Sequence, residues 1–436
     1  MKKLLTILLA SFMLLTACSS NSDKSTNTSN EGTNGGSTGK KQEITVWAWD
    51  KAFNIAAMET AKGIYAQKNA DVTINVIENA QDDIIQKLNA GLNSGTTKTL
   101  PNIVLIEDYR AQSFLQAYPD SFFALDEFIN AADFADYKIG PTSFEGKQYG
   151  VPFDSGVAGL YVRTDYLQEA GYTVDDLQDV TWDEYIEIGK AIKEKTGKDM
   201  LTQDPNDLGL IRMMIQSAGA WYLQEDGKTP FIANNAALED AFNTYKNIMD
   251  ANIVKVISDW SQFVGAFNSG DVASIPTGNW ITASVKAEAE QSGKWAIVPF
   301  PTLANTASSV HASNLGGSSW YVMNVDGKEA AADFLKETFG SNVDFYQTLV
   351  TEIGAIGTLK AAAQGEAYTA PDEFFNGQTT IADLASWTEQ IPNVNYGMHT
   401  YAVEDILVVE MQNFMNGTEL ETVLNNAQTQ AETQIR

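Results

Sequence analysis

The sequence predicts an α/β fold built from two domains, and three observations carry that expectation. Short apolar segments of strand length alternate with helical patterns from residue 43 onward, the order of βαβ units and a mostly parallel sheet. The chain has 436 residues, more than the roughly 100–200 that one domain usually holds. Its composition, 44% hydrophobic and 19% charged, is that of a globular chain rather than a disordered one.

The amino terminus stands apart from the fold. Lys2 and Lys3 form a positive region, and Leu4 to Leu15 is apolar but shorter than the ~20 residues of a membrane-spanning helix. Leu15-Thr16-Ala17-Cys18 then resembles a bacterial lipobox, so residues 1–17 are expected to be a lipoprotein signal peptide and Cys18 the lipidated new terminus. Ser19 to Lys41 is mostly Ser, Thr, Asn and Gly with no apolar residue to bury, so 18–41 is expected to be a lipidated flexible tether. The expected location is the extracytoplasmic face of a bacterial cell membrane, held by lipid.

The body then opens with Glu43 to Trp49, an alternating strand. Helical spacing follows over Ile55 to Gln67, a second strand over Val72 to Ile77, and a helix over Asp82 to Leu92. Pro101 to Ile106 is a short apolar strand ending at Glu107-Asp108. Gly150 to Asp154 reads as a crossing between domains, next to a strand at Gly159 to Val162. Thr181 and Glu184 form a capping box that opens a helix. Phe242 to Met249, Val264 to Phe267, Phe334 to Phe339, Ile406 to Phe414 and Leu420 to Ala427 carry helical spacing, and Trp295 to Val298 is a strand stopped by prolines. In parallel sheets ligands lie beyond the carboxyl ends of strands, which singles out Trp49-Asp50 and Glu107-Asp108.

Charge and composition exclude several functions. With 28 Lys+Arg against 56 Asp+Glu the net charge is −28, and loss of Lys2 and Lys3 with the signal peptide makes it −30. So acidic a chain lacks the basic face that nucleic acid requires. One Cys and two His leave no disulfide, no Cys-rich zinc site and no His-rich metal centre, so no metal or cofactor is expected. Asp204-Pro205-Asn206-Asp207 lacks the spacing of a calcium loop and reads as a polar turn.

Several segments, in their order, resemble the extracellular solute-binding proteins of carbohydrate ABC importers, the maltose/maltodextrin-binding-protein-like family. Gly146 to Pro152 is similar to the family's G-x-x-Y-G-V-P, Leu160 to Gly171 to its L-Y-Y-N-K-D-L-F-x-x-A-G, and Thr181-Trp182-Asp183-Glu184 to its T-W-x-E. Ala266 to Trp280 resembles a helix ending in F-x-x-G, a strand, and then G-x-W. Val298 to Pro301 followed by Gly316 to Trp320 resembles the return to the first lobe, and Asn416 to Ala427 the last helices. The resemblance implies a periplasmic-binding-protein-like α/β fold of type II topology, with two discontinuous lobes, a hinge and a ligand cleft between them. By that analogy the lobes are 42–153 plus 311–368, and 154–310 plus 369–436. It further implies a non-enzymatic, monomeric protein that delivers a neutral oligosaccharide to permease subunits, with α-glucan-derived sugars as the family's habit. An extracellular glycoside hydrolase using a carboxylate pair is the alternative, since carboxylates are plentiful. A surface adhesin or scaffold independent of a permease is a third.

Sugars pack their CH faces on aromatic rings and pair their hydroxyls with polar side chains. Nine Trp make a generous supply of platforms. Trp280, ending the G-x-W motif, is the leading platform, with Asn279 beside it for a hydroxyl. Trp49 and Asp50 lie where the family has sugar contacts, and Trp221 where it often has an aromatic. Glu107, Asp108 and Asp154 are the acidic candidates. Trp320 faces either the cleft or the core. Tyr396 and Trp387 are candidates for the far wall, and His399 aligns near a sugar-stacking aromatic although the local sequence departs from the pattern. Trp47, Trp182 and Trp295 are expected to pack, His311 to be structural or exposed, and Trp260 stays undecided. Only four Arg are present, Arg110, Arg163, Arg212 and Arg436, so anionic ligands are disfavoured.

Overall fold

The computed structural model describes residues 42–435; the expected signal peptide, Cys18, the expected tether and Arg436 lie outside the described residues. Among the described residues, eight strands form the two larger sheets. They are β1 (Gln42–Ala48), β2 (Val72–Glu78), β3 (Ile103–Glu107), β4 (Gly150–Pro152), β5 (Ala158–Arg163), β6 (Ser274–Gly278), β7 (Trp295–Val298) and β8 (Ser318–Val322). The first sheet has the order β2-β1-β3-β8-β4 and the second β6-β5-β7.

Helices α1 (Asn54–Ala66) and α2 (Gln81–Ser94) connect β1, β2 and β3, and these three strands are parallel, with Ile44 opposite Ile74 and Val46 opposite Ile103. The sheet is not mostly parallel beyond them. β8 enters between β3 and β4 antiparallel to both, because it returns directly from the second sheet rather than through a helical crossover. The second sheet is antiparallel throughout, with Pro276 opposite Leu160 and Ile297 opposite Tyr161. Pro276 has no N–H to give, and β6 is an edge strand, where none is needed. Residues 153–157 carry the chain from β4 to β5 and residues 299–317 carry it from β7 to β8, so two crossovers run side by side between the sheets.

Along β1, Ile44, Val46 and Ala48 are fully buried. Trp47 alternates to the other face and is only half-buried, with the Lys87 ammonium 5.9 Å over its ring. Trp47 therefore stands at the margin of the core, not within it. Trp182 and Trp295 are fully buried, as expected.

The remaining helices used below are α3 (Asp108–Ala117), α4 (Trp182–Thr196), α5 (Gly209–Ser217), α6 (Ala236–Asp250), α7 (Trp260–Asn268), α8 (Thr400–Met415) and α9 (Leu420–Gln434). Thr181 caps α4 through the Glu184 N–H, and the Glu184 carboxylate returns the contact at 2.8 Å. One face of α4 buries Trp182, Tyr185, Ile186, Ile188 and Ile192, at roughly 1.5–3 kcal/mol for each full large side chain. Gly189 lies on that face because a Cβ there would meet Met200 and Ile253 at 2.9 Å. Helices α6 and α7 begin earlier than their apolar periodicity shows, because Asn235 and Asp259 cap them. The apolar segment Phe334 to Phe339 runs past the end of its helix, Lys328–Glu337.

Candidate functional site

The two crossovers meet at a buried charge cluster. The Lys138 ammonium, with no exposed surface, pairs with the Asp108 carboxylate and donates to the carbonyl oxygens of Asp154 (2.8 Å) and Ser318 (3.1 Å). Ser319 Oγ donates to Asp108 at 2.9 Å and Ser318 Oγ to Asp154 at 2.6 Å. Burial raises the pKa of both carboxyls while Lys138 opposes it; Asp154 is pushed up to about 6. Asp108 and Asp154, read from the sequence as hydroxyl-binding acids, are thus engaged by the protein itself. They tie the end of β3 to both crossovers.

Glu107, one residue before Asp108, has a different fate. It ends β3 and is half-buried. Its Oε2 accepts 2.6 Å from Tyr401 Oη on α8 and 3.4 Å from Gln81, with Arg110 Nε at 3.5 Å. Trp49, half-buried just past β1, shares a narrow slot with Gln81, Glu107, Arg110 and Phe114. Asp50 is exposed in a left-handed conformation (φ 60°), and its carboxylate accepts from the Ala52 N–H at 3.0 Å, an Asx turn. The Arg110 guanidinium lies 3.9 Å from the centroid of the Tyr401 ring, and the Arg212 guanidinium lies 5.5 Å from it. Arg212 also binds Glu404 at 2.8 Å and lies 3.8 Å from Asp207.

Asp207 brings this chain of contacts to a hollow of about 220 Å³ between α5, α7 and β6. Its aromatic wall is Trp260, Phe263 and Trp280, with the two indole rings 5.8 Å apart and inclined by 39°. Trp280 is anchored by a 2.9 Å bond from Nε1 to the Leu315 carbonyl on the second crossover. Trp260 is 56% exposed, unusual for the largest apolar side chain. Gln203, Asp204, Asp207 and Asp259 also line it. Aromatic faces beside uncharged and acidic acceptors are the chemistry a neutral sugar requires.

Other expected platforms are closed. Trp221 is 3% exposed, stacked on Tyr109 (5.6 Å, 21°) and packed on Tyr396 (4.7 Å), with its N–H bonded to Thr400 Oγ1. Tyr396 is buried and donates to Asn314 at 3.2 Å. Trp320 lies in the core against Phe153 and Phe339 with no exposed surface, because β8 is covered on both faces. Asn279 is buried, and its amide finds no partner among the described residues. His399 is half-buried just before α8, where burial lowers its pKa. Trp387 is half-buried as well. His311 bonds the Phe300 carbonyl at 2.9 Å and Asp179 at 2.6 Å, a structural position.

Asp204, Asp207, Asp259, Arg110 and Tyr401, which line or adjoin these hollows, were not singled out as binding candidates by the sequence, and Trp260 was left undecided. The Asp259-x-x-Gln262 cap was a legible signal that Trp260 starts a helix; nothing comparable marked Tyr401. A larger open groove of about 890 Å³ lies along α4 and α6, but no tryptophan lines it and its Glu184 and Asp176 are engaged in capping. Among the described residues no group of three or more His, Cys, Asp or Glu is arranged to hold a metal ion, and no helix is long and apolar enough to cross a membrane.

Residues 60–376 match the family of bacterial extracellular solute-binding proteins. A lactose-binding protein of Rhizobium radiobacter is 48% identical over 395 residues, covering 90% of this chain and 93% of that one. The GacH receptor of Streptomyces glaucescens, solved unliganded and with acarbose, superposes with a TM-score of 0.74 at 18% identity, over 91% of this chain and 98% of that one. The galacto-N-biose-/lacto-N-biose I-binding protein of Bifidobacterium longum gives 0.73 at 17% identity, over 91% and 97%. The fold is thus periplasmic-binding-protein-like.

Proposed function

The chain belongs to the bacterial extracellular solute-binding proteins, and we propose that it is the sugar-binding component of an ABC importer, carrying a neutral β-galactoside-type disaccharide or short oligosaccharide to permease subunits. The observation that carries this is the hollow at Trp260 and Trp280, where two indole faces stand beside Gln203, Asp204, Asp207 and Asp259. The indoles take the CH face of a pyranose and the polar groups take its hydroxyls. Arg110 and Arg212 are stacked on Tyr401 and paired with Glu107 and Glu404, which supports an uncharged ligand. The kinship with a lactose-binding protein supports a β-galactosyl sugar over the α-glucan that the family resemblance implies.

In this function the chain binds and releases its sugar unchanged. Its two lobes are 42–153 plus 311–368 and 154–310 plus 369–436, an assignment supported by the separation of β1–β4 and β8 from β5–β7 into two sheets. Cys18 carries the lipid that holds a monomer at the outer membrane surface, and labelling with a radioactive fatty acid, lost in Cys18→Ala, tests it.

A thermal-shift and calorimetric screen of lactose, β-linked galacto-oligosaccharides, and malto- and isomalto-oligosaccharides tests the ligand class. Saturable binding of lactose without new reducing ends is the expected outcome. Preference for a malto- or isomalto-oligosaccharide would restore the α-glucan ligand, and steady release of reducing ends would make the protein a hydrolase.

A further inference from the structure

We infer that Asn314 is the positioning residue of the tryptophan platform: its buried amide joins Tyr109 and Tyr396 to the crossover segment that holds the Trp280 indole, and so fixes the ring for the sugar. This deepens the sugar-binding function proposed above and rests on it.

Asn314 stands in the second crossover with no exposed surface. A primary amide so buried must find partners within the protein, because each polar group left unpaired is costly. Its Oδ1 accepts from Tyr396 Oη at 3.2 Å, and its Nδ2 donates to the Gly316 carbonyl at 3.1 Å. Nδ2 also lies 3.4 Å from Tyr109 Oη, which donates to the Asn314 carbonyl at 3.4 Å. Tyr109 comes from α3 and Tyr396 from the segment before α8, and their rings pack edge to face at 4.7 Å. One side chain thus ties the crossover to two distant parts of the chain.

The bond from Asn314 Nδ2 to the Gly316 carbonyl closes a short loop around Leu315 and so sets the direction of the Leu315 carbonyl. That carbonyl accepts from Trp280 Nε1 at 2.9 Å, while the Leu315 N–H donates to the Gly156 carbonyl at 2.8 Å. The approach is close: a Cβ at Gly278 would meet the Leu315 carbonyl oxygen at 2.7 Å. The Trp280 backbone is held separately, through the Asn279 N–H on the Val157 carbonyl at 2.8 Å. The backbone therefore places the residue, and Asn314, through Leu315, places the ring.

The test has two readouts on the chain from Cys18 onward. The first is exchange of the Trp280 Nε1 proton with heavy water, followed by NMR and assigned by its loss in Trp280→Phe. Asn314→Ala is expected to speed that exchange at least about tenfold while Trp182 and Trp295 keep their native rates. An unchanged Trp280 rate, or equal acceleration at all three indoles, overturns the positioning role. The second readout is calorimetry with lactose. Asn314→Ala is expected to weaken binding about tenfold in the native background, but by less than about twofold in Trp280→Ala, because it acts through that ring. Equal losses in both backgrounds also overturn it. Circular dichroism checks folding. Tyr396→Phe, which removes only the hydroxyl on Asn314 Oδ1, should move both readouts the same way by about threefold, and it decides if Asn314→Ala does not fold. If the native chain binds no lactose, the ligand proposed above falls, and the exchange rates alone decide whether Asn314 positions Trp280.

Discussion

The Lys138 ammonium lies 2.8 Å from the carbonyl oxygen of Asp154 while it pairs with the Asp108 carboxylate. One buried cation thereby fixes the β4–β5 crossover to the end of β3, and through the Ser318 carbonyl to the start of β8. The walls of the candidate cleft grow from these same segments: Glu107 precedes Asp108 in sequence, and Leu315, which anchors Trp280, lies three residues before Ser318.

Removing that cation leaves a fully buried carboxylate uncompensated. Lys138→Met is expected to destabilise the fold by about 3–5 kcal/mol at neutral pH, measured by urea unfolding. A loss under about 1 kcal/mol would show that the cluster is solvated and does not pin the crossovers.

Asp154 makes the cluster sensitive to pH. Its pKa rises from 3.8 in the unfolded chain to about 6 in the fold, so the folded state holds the proton more tightly. The stability this group contributes is complete below the unfolded value and is lost as pH rises through about 6. Lys138 and Asp108 face it across the cluster, and Asp108 shifts in the same direction. Asp154→Asn cannot ionise, so native stability should fall relative to this variant by up to about 3 kcal/mol between acid and neutral pH. Melting curves of the two proteins that stay parallel across that range would contradict the assignment.

The tryptophan pair separates binding from stability. Trp260→Ala removes an exposed ring and should cost no more than about 0.5 kcal/mol of stability, yet weaken binding of the proposed ligand, lactose, at least about tenfold. Trp280→Ala should weaken binding by a similar factor, and also cost about 1 kcal/mol by leaving the Leu315 carbonyl unpaired. Calorimetric titration and urea unfolding on the same samples give both numbers; unchanged dissociation constants would remove the pair from the site.

A contrasting substitution lies far from the hollow. Thr181→Ala breaks the capping box of α4 and should cost about 1 kcal/mol while leaving the affinity for the proposed ligand unchanged. An affinity change in that variant would point to a ligand in the groove along α4 instead.

Much of the fold was legible because its signals are local. The alternation of Glu43 to Trp49, the capping pair Thr181 and Glu184, and the Pro-stopped strand at Trp295 each declare their structure within a few residues. The cleft was less legible because exposure is decided by distant partners. Trp221 is closed by Tyr109 and Tyr396, both more than a hundred residues away. Trp320 sits in a strand whose five residues are all buried, so period-two patterning cannot say which way it faces. Asp108 and Glu107 are adjacent in sequence, yet one meets a buried lysine and the other a tyrosine from α8. The pairing of β8 against β3 likewise depends on a chain return of more than two hundred residues.

The most direct measurement is a crystal structure of the chain with lactose bound. A pyranose ring is expected to lie on the Trp260 and Trp280 faces, with its hydroxyls reaching Asp204, Asp207 or Asp259. A sugar seated elsewhere, with the two indoles left uncovered, would contradict it.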